Sequence, residues 1–228
     1  MYGALSGRLP GWLRRYLLRF ETMIEKSASE FAASLADGSR VLDAGAGELQ
    51  YAHLFSRQRY LAVDLGIGDM NWNYSRLDCI ADLADLPLAS RTMDACVNLV
   101  TLEHVREPSR VLEEIHRTLR PGGRLLLAVP MEWEVHQAPH DYYRYTEHGV
   151  RYLLTKAGFE RIEIEACGGM FALLSRRLLN SLQFFPGPLF IVAAILMAPA
   201  ALVLPLLDGL DRQRHFTMGY ICHAWKQS

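Results

Sequence analysis

The stretch VLDAGAGELQYAHLFSRQRYLAVD, residues 41–64, decides the fold of this chain. An apolar strand that begins at residue 41 runs directly into the glycine-rich turn DAGAG at residues 43–47. Apolar residues at helical spacing within residues 49–54 predict a helix, and the run YLAVD at residues 60–64 predicts a second strand. Strand, glycine-rich turn, helix and strand form a βαβ unit, which predicts two neighbouring parallel strands.

The same alternation of short apolar strands with helices continues along the chain. It predicts an α/β fold in which helices cover both faces of a mostly parallel sheet. The sequence predicts helices within residues 11–36, at 111–119 and near 152–154, and further strands at residues 77–80, 95–100, 124–129, 159–166 and 217–225.

The composition limits the classes of function. The chain has 228 residues, half of them apolar, and 24 Lys+Arg stand against 25 Asp+Glu. This apolar fraction excludes a disordered chain, and the balanced charge excludes a chain-wide basic surface for nucleic acid. The length fits one domain with an elaboration.

The cysteines indicate a reducing compartment. They stand far apart and form no C-x-x-C pair, so the sequence gives neither a zinc signature nor a disulfide framework, and we expect buried thiols and no metal site. Three arginines also interrupt the apolar N-terminal stretch, which argues against a secretory signal and for a cytoplasmic protein. The cysteines are Cys79, Cys96, Cys167 and Cys222, and the arginines are Arg14, Arg15 and Arg19.

The glycine-rich turn and the acids around it predict a nucleoside-containing cofactor. Gly45 and Gly47 let a ligand approach the backbone closely, because a Cβ atom would block that approach. Asp64 ends the next strand, where a carboxylate can accept both hydroxyls of a ribose. Gln50 stands where a dinucleotide-binding turn needs a third small residue, and Asp43 repels a pyrophosphate but suits a cationic ligand. A nicotinamide oxidoreductase is therefore disfavoured.

Together with three later segments, this turn resembles the class I S-adenosylmethionine-dependent methyltransferases. The segments are Ile80–Leu83 with Leu86–Leu88, Met93–Asn98 leading to Leu102–Val105, and Leu119–Leu125. The resemblance covers roughly residues 40–130 and implies S-adenosylmethionine as the cofactor and a Rossmann-like seven-stranded sheet whose last strand is antiparallel. It implies cofactor contacts from Asp43, Gly45, Gly47, Asp64, Asp82, Leu83 and Asn98, with Asp82 accepting from the adenine amine. One departure is Leu49, which replaces the third glycine of the family's loop.

Several of these residues also have a purely structural interpretation. The two glycines can serve a tight turn, Asp64 can be a solvated acid at a strand end, and Asp82 can cap a turn or helix. Glu103 is expected as a salt-bridge or helix-start acid, and His104 can be a packing residue.

The segment HQAPHDYYRYT, residues 136–146, predicts the acceptor side of the site. It follows the fifth predicted strand and therefore lies at the ligand edge of the sheet. Methyl transfer to oxygen needs a base near neutral pH, so we expect His104 and His140 as candidate bases and Asp141 as the residue that orients them. Similar stretches occur in bacterial methyltransferases of polysaccharide and lipid-linked glycan pathways. The structural alternative is a lid anchored by aromatic packing.

An apolar insertion is predicted between the sixth and seventh strands. No charged residue stands between Arg177 and Asp208, and residues 188–207 are long enough, at about 30 Å as a helix, to span a bilayer. The chain must return to the same sheet, and arginines flank both ends, so an interfacial hairpin is expected instead of a span, with Pro199 breaking or kinking it. The N-terminal helix with Trp12 is expected as a second contact. A dimer interface or a lid is the alternative.

These observations predict an organisation and a function. We expect a helical segment at residues 1–39, a methyltransferase domain at 40–167 and 216–228, and a membrane-interfacial insertion at 168–215. The expected activity is O-methylation of a lipid-linked or amphiphilic small molecule by a peripheral protein on the inner face of the cell membrane. The alternatives are a quinone-type aromatic C- or O-methyltransferase and a non-catalytic S-adenosylmethionine-binding protein. The oligomeric state stays open.

Overall fold

The computed structural model describes residues 11–68 and 71–227. Its helices are α1 (Gly11–Leu17), α2 (Arg19–Ala33), α3 (Pro108–Thr118), α4 (Glu147–Lys156), α5 (Met170–Ser181) and α6 (Pro188–Val203). Its strands are β1 (Arg40–Ala44), β2 (Arg59–Asp64), β3 (Cys79–Ile80), β4 (Met93–Leu99), β5 (Leu119–Pro130), β6 (Phe159–Ala166) and β7 (Gly219–Lys226).

The seven strands form one sheet with the order β3-β2-β1-β4-β5-β7-β6. β1 pairs in parallel with β2 on one side and with β4 on the other, and Asp43 stands in register with Ala62 and with Val97. The α/β fold with a seven-stranded, mostly parallel sheet and an antiparallel last strand is therefore confirmed. Because β1 lies between β2 and β4, the segments that follow these three strands meet at one edge of the sheet.

The core forms between the sheet and the apolar faces of its helices. On α3, Val111, Leu112 and Ile115 are fully buried, as the helical spacing of these residues predicts. In the sheet, Leu125–Val129 of β5 is an uninterrupted run of buried residues, as expected for a central strand covered on both faces. The framework that positions the site is thus fixed by ordinary apolar burial.

The expected helix after the glycine-rich turn is wrong. The structure has only a short 3₁₀ helix there, at Ala52–Phe55. Leu49 takes a left-handed φ of 62°, which is incompatible with a helical turn at that position. The glycine-rich turn, the short 3₁₀ helix and the residues around it thus make up the whole connection from Ala44 to Arg59.

The chain divides into two compact units. One comprises residues 24–165 and 220–228, and the other comprises residues 1–23 and 166–219. Residues 1–10 of the helical segment expected at 1–39, and the side chains of Trp12 and Arg14, lie outside the described residues.

Within the second unit, charged side chains join the first residues of α2 to the apolar insertion. The buried carboxylate of Asp208 accepts hydrogen bonds from the backbone N–H of Gly169 and of Ala172 at the start of α5, and it pairs with Arg19 at 3.1 Å. The buried Arg176 of α5 pairs with Glu21 at 2.6 Å. Polar anchors therefore hold a unit whose outer surface is apolar.

Helix α6 passes through Pro199 without a break and ends at Val203. Of the expected kink or break at this proline, the break does not occur, and the kink stays a prediction. The ring of Pro199 removes one helical hydrogen bond, and the apolar residues on both sides keep the helical conformation.

Candidate functional site

The glycine-rich turn at the end of β1 is shaped by its contact with Thr101. Gly45 has φ +94°, and a Cβ atom built on it would lie 2.2 Å from the Thr101 Cγ2 atom. The Thr101 hydroxyl also donates to the carbonyl oxygen of Gly45 at 3.1 Å. We expected the space beside Gly45 to belong to a ligand, but the structure fills it with the chain's own Thr101. Glycine is thus required at this position by backbone conformation and by packing.

Asp64 holds the turn and the end of β2 together. One carboxylate oxygen accepts the N–H of Gly47 at 3.0 Å, and the other accepts the N–H of Gly66 at 2.8 Å. Each carboxylate oxygen has a second lone pair that these bonds leave for a ligand hydroxyl. The carboxylate is thereby fixed beside the glycine-rich turn.

Asp43 is a buried acid at the same edge. The Tyr60 hydroxyl donates a hydrogen bond to its carboxylate. Burial raises the pKa of Asp43 to about 7, the hydrogen bond from Tyr60 opposes that rise, and the nearby charge of Asp64 adds to it. A carboxyl group with such a pKa gains charge readily when a cation binds beside it.

Asn98 of β4 braces the end of β1. Its amide nitrogen donates to the carbonyl oxygen of Ala44 at 2.7 Å. Its carbonyl oxygen is buried and has no hydrogen-bond partner among the described residues. Of the two polar groups of this amide, the oxygen is therefore the one that remains for a ligand.

Asp82 and Leu83 lie in the segment that follows β3. The Asp82 carboxylate accepts the backbone N–H of Ala84 at 2.9 Å, which is a turn-forming bond, and Leu83 is buried. Arg117 of α3 donates to the carbonyl oxygens of Leu86 and Leu88 at 3.0 and 2.8 Å. The helix thus fixes the part of this segment that follows Asp82.

The segment of residues 136–146 is attached to the turn that follows β4. The N–H of Tyr142 donates to the carbonyl oxygen of Glu103 at 2.9 Å, and the hydroxyl of Tyr145 donates to that of Leu102 at 2.8 Å. Nδ1 of His104 lies 2.6 Å from the carbonyl oxygen of His140. The two segments that the sequence analysis nominated for the acceptor side are therefore in direct contact.

Asp141 contacts a histidine that was not among the expected bases. Its carboxylate pairs with Arg144 through bonds of 2.6 and 2.7 Å, accepts the N–H of His136 at 2.9 Å and lies 3.5 Å from His136 Nδ1. These contacts, the Arg144 bond above all, lower the pKa of Asp141 to about 2. The ring of His140 instead lies 3.1 Å from the hydroxyl of Tyr142. Asp141 is therefore a carboxylate that stays charged near neutral pH beside His136, and its role as the residue that orients His104 or His140 stays a prediction.

Glu103 is a site residue that the sequence analysis underrated. Its side chain is fully buried, and neither carboxylate oxygen has a hydrogen-bond partner among the described residues. Oε1 lies 3.7 Å from Nε2 of His104 and 3.9 Å from Nε2 of His136. Burial raises the pKa of Glu103 to about 8 and lowers that of His104. In the sequence, the only sign of this cluster was the adjacent pair Glu103 and His104 after an apolar strand. His136 is far away in the sequence, and the path of its loop brings it to Glu103.

Comparison with known proteins agrees with this geometry. Residues 42–127 match the family described as "Methyltransferase domain". A Mycolicibacterium smegmatis protein named "Probable S-adenosylmethionine-dependent methyltransferase" is 30% identical over 125 residues, which cover 52% of this chain and 45% of that protein. A demethylmenaquinone methyltransferase of Paenarthrobacter aurescens is 35% identical over 97 residues, covering 40% of this chain and 38% of that protein. The chain thus matches less than half the length of these curated relatives.

The sheet also has close counterparts among solved structures. An S-adenosylmethionine-dependent methyltransferase from Archaeoglobus fulgidus superimposes with a TM-score of 0.60 at 12% identity, covering 94% of this chain and 98% of that one. At this identity the likeness establishes the fold. Residues 42–127 therefore match the methyltransferase-domain family, and the chain has the fold of the class I S-adenosylmethionine-dependent methyltransferases.

Proposed function

We propose that this chain is an S-adenosylmethionine-dependent methyltransferase. The observation that carries the proposal is the carboxylate of Asp64, which the N–H groups of Gly47 and Gly66 fix beside the glycine-rich turn. That position suits bidentate recognition of a ribose, and the oxygen of Asn98 and the carboxyl of Asp43 supply further polar groups at the same edge. The donor set therefore fits a cationic nucleoside.

The bound cofactor supplies an electrophilic methyl group on a sulfonium. The chain's part is to align an acceptor atom with that methyl group and to exclude competing water, which accounts for most of the rate enhancement. The acceptor's lone pair forms the new bond to carbon as the carbon–sulfur bond breaks, and the acceptor's proton leaves to a base. His104, at the turn after β4, and His140 are the candidate groups near the acceptor side, and the former is held at Nδ1 by a backbone carbonyl.

We further propose that the acceptor is an amphiphile that the protein meets at a lipid surface. Residues Pro188–Leu210 are helical and are long and apolar enough to cross a membrane. Four consecutive residues of α6, Leu189 to Val192, are all exposed, so apolar side chains surround the helix instead of forming one stripe. A helix that is apolar all round is typical of a lipid environment when the protein itself does not bury it. A peripheral position on the inner face of the cell membrane accounts for this surface.

Two kinds of methyl acceptor are compatible with the site. We retain O-methylation of a lipid-linked acceptor, because His104 lies on the acceptor side of the site. A quinone-type aromatic acceptor is favoured by the demethylmenaquinone methyltransferases among the relatives. Both acceptors are amphiphilic, so both are compatible with the exposed α6.

Calorimetry tests the cofactor, and radiolabelled transfer tests the chemistry. S-adenosylmethionine and S-adenosylhomocysteine should bind with micromolar affinity, whereas NAD should not bind. The bound protein should then transfer labelled methyl groups into a lipid extract, and with carbon-13-labelled cofactor the NMR chemical shift of the new methyl group distinguishes a carbon-bound from an oxygen-bound methyl group. Cofactor binding with no transfer to lipids, quinones or soluble extracts would establish the non-catalytic alternative.

Vesicle flotation tests the lipid surface. The double variant Ile195→Glu/Leu196→Glu places charges at side chains that are 67% and 72% exposed on α6. Its matched control is Tyr152→Glu on α4, where the side chain is 66% exposed. The wild type and the control should float with anionic vesicles, and the double variant should not float while it still binds cofactor. A wild-type protein that stays with the soluble fraction contradicts the lipid surface and directs the search to soluble acceptors.

A further inference from the structure

Three side chains of the acceptor side form a cluster that methyl transfer by itself does not explain. Glu103 and His104 follow β4, and His136 comes from the segment after β5. One ligand atom from each of them lies within 4.8 Å of the other two. The rings of the two histidines meet edge to face, with centroids 4.6 Å apart.

The hydrogen bonds of the two imidazoles define which nitrogen faces the cluster. Nδ1 of His104 lies 2.6 Å from the carbonyl oxygen of His140, and Nδ1 of His136 lies 3.1 Å from the carbonyl oxygen of Glu134. A carbonyl oxygen only accepts, so each Nδ1 carries the proton. In a neutral imidazole the other nitrogen, Nε2, then presents a lone pair. Both Nε2 atoms point at Glu103.

The cluster therefore brings three acceptors together. Both oxygens of Glu103 and Nε2 of His104 are buried and have no hydrogen-bond partner among the described residues. Burying acceptors without a donor is costly, and one shared proton satisfies only one pair of them. A divalent cation can accept a lone pair from each of the three side chains, Glu103, His104 and His136, at the same time.

We propose that Glu103, His104 and His136 bind a divalent transition-metal ion of the zinc class. Two imidazole nitrogens and one carboxylate oxygen are a donor set that such ions prefer. Ligand atoms about 2.1 Å from a tetrahedral zinc ion lie about 3.4 Å apart. The two separations from Glu103 Oε1, 3.7 and 3.9 Å, need a small contraction, and the third pair of ligand atoms, on the two histidines, lies within 4.8 Å and must also move closer.

The surroundings have the features of a built site. Asp141 lies 3.5 Å from Nδ1 of His136, and the backbone carbonyl of His140 holds His104, so both ligands have the outer partners that orient metal-binding histidines. The His136 side chain is 25% exposed, which leaves a path for the ion. Three protein ligands leave a fourth position open. If the proposed function holds, an acceptor oxygen at that position becomes more acidic, which assists its methylation. The ion then occupies the lone pair of His104 Nε2, so His140 is the remaining candidate base.

Metal content and metal binding test the proposal without any methyl acceptor. The full chain is purified without a histidine tag, its metals are measured by mass spectrometry, and Zn²⁺ and Co²⁺ are titrated calorimetrically after chelator dialysis. We expect one ion per chain and visible d–d absorption from bound Co²⁺. His136→Ala and Glu103→Gln should each lower the affinity by at least tenfold. His148→Ala, an exposed histidine on α4, is the matched control and should bind as the wild type does.

The outcomes separate this proposal from the proposed function. Absence of stoichiometric binding to the wild type, or equal binding by the wild type and His136→Ala, overturns the metal site and leaves cofactor binding and methyl transfer untouched. Circular dichroism shows whether each variant is folded. If Glu103→Gln does not fold, the partly exposed His136 decides the result. Metal binding by a protein that binds no S-adenosylmethionine would support the site and contradict the methyltransferase proposal.

Discussion

The Glu114 carboxylate on α3 accepts the backbone N–H of Leu86 at 3.0 Å, so a helix on one face of the sheet holds the segment that follows β3. The same carboxylate pairs with Arg117 at 2.8 Å, and this arginine donates to the carbonyl oxygen of Leu86. The segment begins with Asp82 and Leu83, the residues that the family resemblance assigns to adenine. The helix therefore supports a binding loop as well as the core.

Replacing Glu114 with Ala should lower the free energy of unfolding by about 1–3 kcal/mol, because the buried N–H of Leu86 loses its partner. Urea denaturation measures this loss, and hydrogen exchange should show faster exchange at residues 84–88. The matched control is Glu113→Ala, one residue away, where the side chain is 42% exposed. A similar loss in the control would mean that the effect belongs to the helix and not to this contact.

The contribution of Glu114 should also depend on pH. Its hydrogen bond with Arg117 lowers the pKa of Glu114 below its ordinary value of 4.5, so the folded protein keeps this carboxyl ionised where the unfolded chain takes up a proton. The stabilisation is therefore complete above pH 4.5 and is lost as the pH falls through the pKa of the folded state. The difference in unfolding free energy between the wild type and Glu114→Gln should shrink in acid. A difference that grows in acid would contradict this sign.

Asp43→Asn should make the cofactor-free protein more stable at pH 8. Burial raises the pKa of Asp43 from 3.8 to about 7, so stability is lost as the pH rises through that interval. Asn carries no charge and can still accept from the Tyr60 hydroxyl. Each unit of pKa difference corresponds to about 1.4 kcal/mol, which sets the scale of the gain. Thermal denaturation at pH 5 and pH 8 measures it, and the gain should be larger at pH 8. The same change should weaken S-adenosylmethionine binding, because it removes a negative charge beside a cation.

Gly45→Ala should destabilise the protein by more than 1 kcal/mol even before any ligand is added, since alanine is strained at positive φ. Its Cβ atom would also lie within 2.7 Å of three Thr101 side-chain atoms. Calorimetric melting of the cofactor-free variant measures the loss. Adding Thr101→Gly to Gly45→Ala should recover only the part of the lost stability that the clash with Thr101 causes, because the strain of alanine at positive φ remains. Unchanged melting of the single variant would contradict the placement of the turn.

Asp64→Ala should weaken S-adenosylmethionine binding by about 1.5–3 kcal/mol, because the site loses a charged acceptor for ribose hydroxyls. It also releases the N–H groups of Gly47 and Gly66, so Asp64→Asn is measured beside it to keep one acceptor oxygen. Asp82→Ala is the comparison, and its loss should be smaller, because Asp82 is exposed and bonds within its own turn. A larger loss for Asp82→Ala would reverse the assigned roles.

The sequence predicted secondary structure correctly wherever the local pattern of apolar residues matches the pattern of burial in the fold. The apolar run before Asp43 and the run that ends at Asp64 predicted β1 and β2, because parallel central strands must be apolar on both faces. Thr146 accepts the N–H of Gly149 at the start of α4, as a capping signal at that position predicts. Such features depend on neighbours within a few residues and can be read from one sequence.

Contacts between residues that are far apart in the sequence could not be predicted in this way. The helix predicted from Leu49 failed because a left-handed residue stands inside an apolar pattern with helical spacing. The contact of Asp141 with His136 was not foreseen, because the path of the loop brings His136 back to Asp141 while the ring of His140 lies against Tyr142. Glu103 was underrated because only the tertiary structure surrounds this acid with histidines. In each case the loop path, and not residue type, decides the contact.

The ion pair between Arg19 and Asp208 joins positions that are 189 residues apart in the sequence. A ribosome that adds roughly 5–20 residues per second needs about 10–40 s to travel between them. During that interval the first helices are made before their partners in α5 and beyond, and the strands β1 to β6 of the other unit are synthesised. Vectorial synthesis therefore completes the apolar unit only after the central strands β1, β2, β4 and β5 have been made, so the sheet that carries the site precedes the exposed apolar helix α6 along the chain.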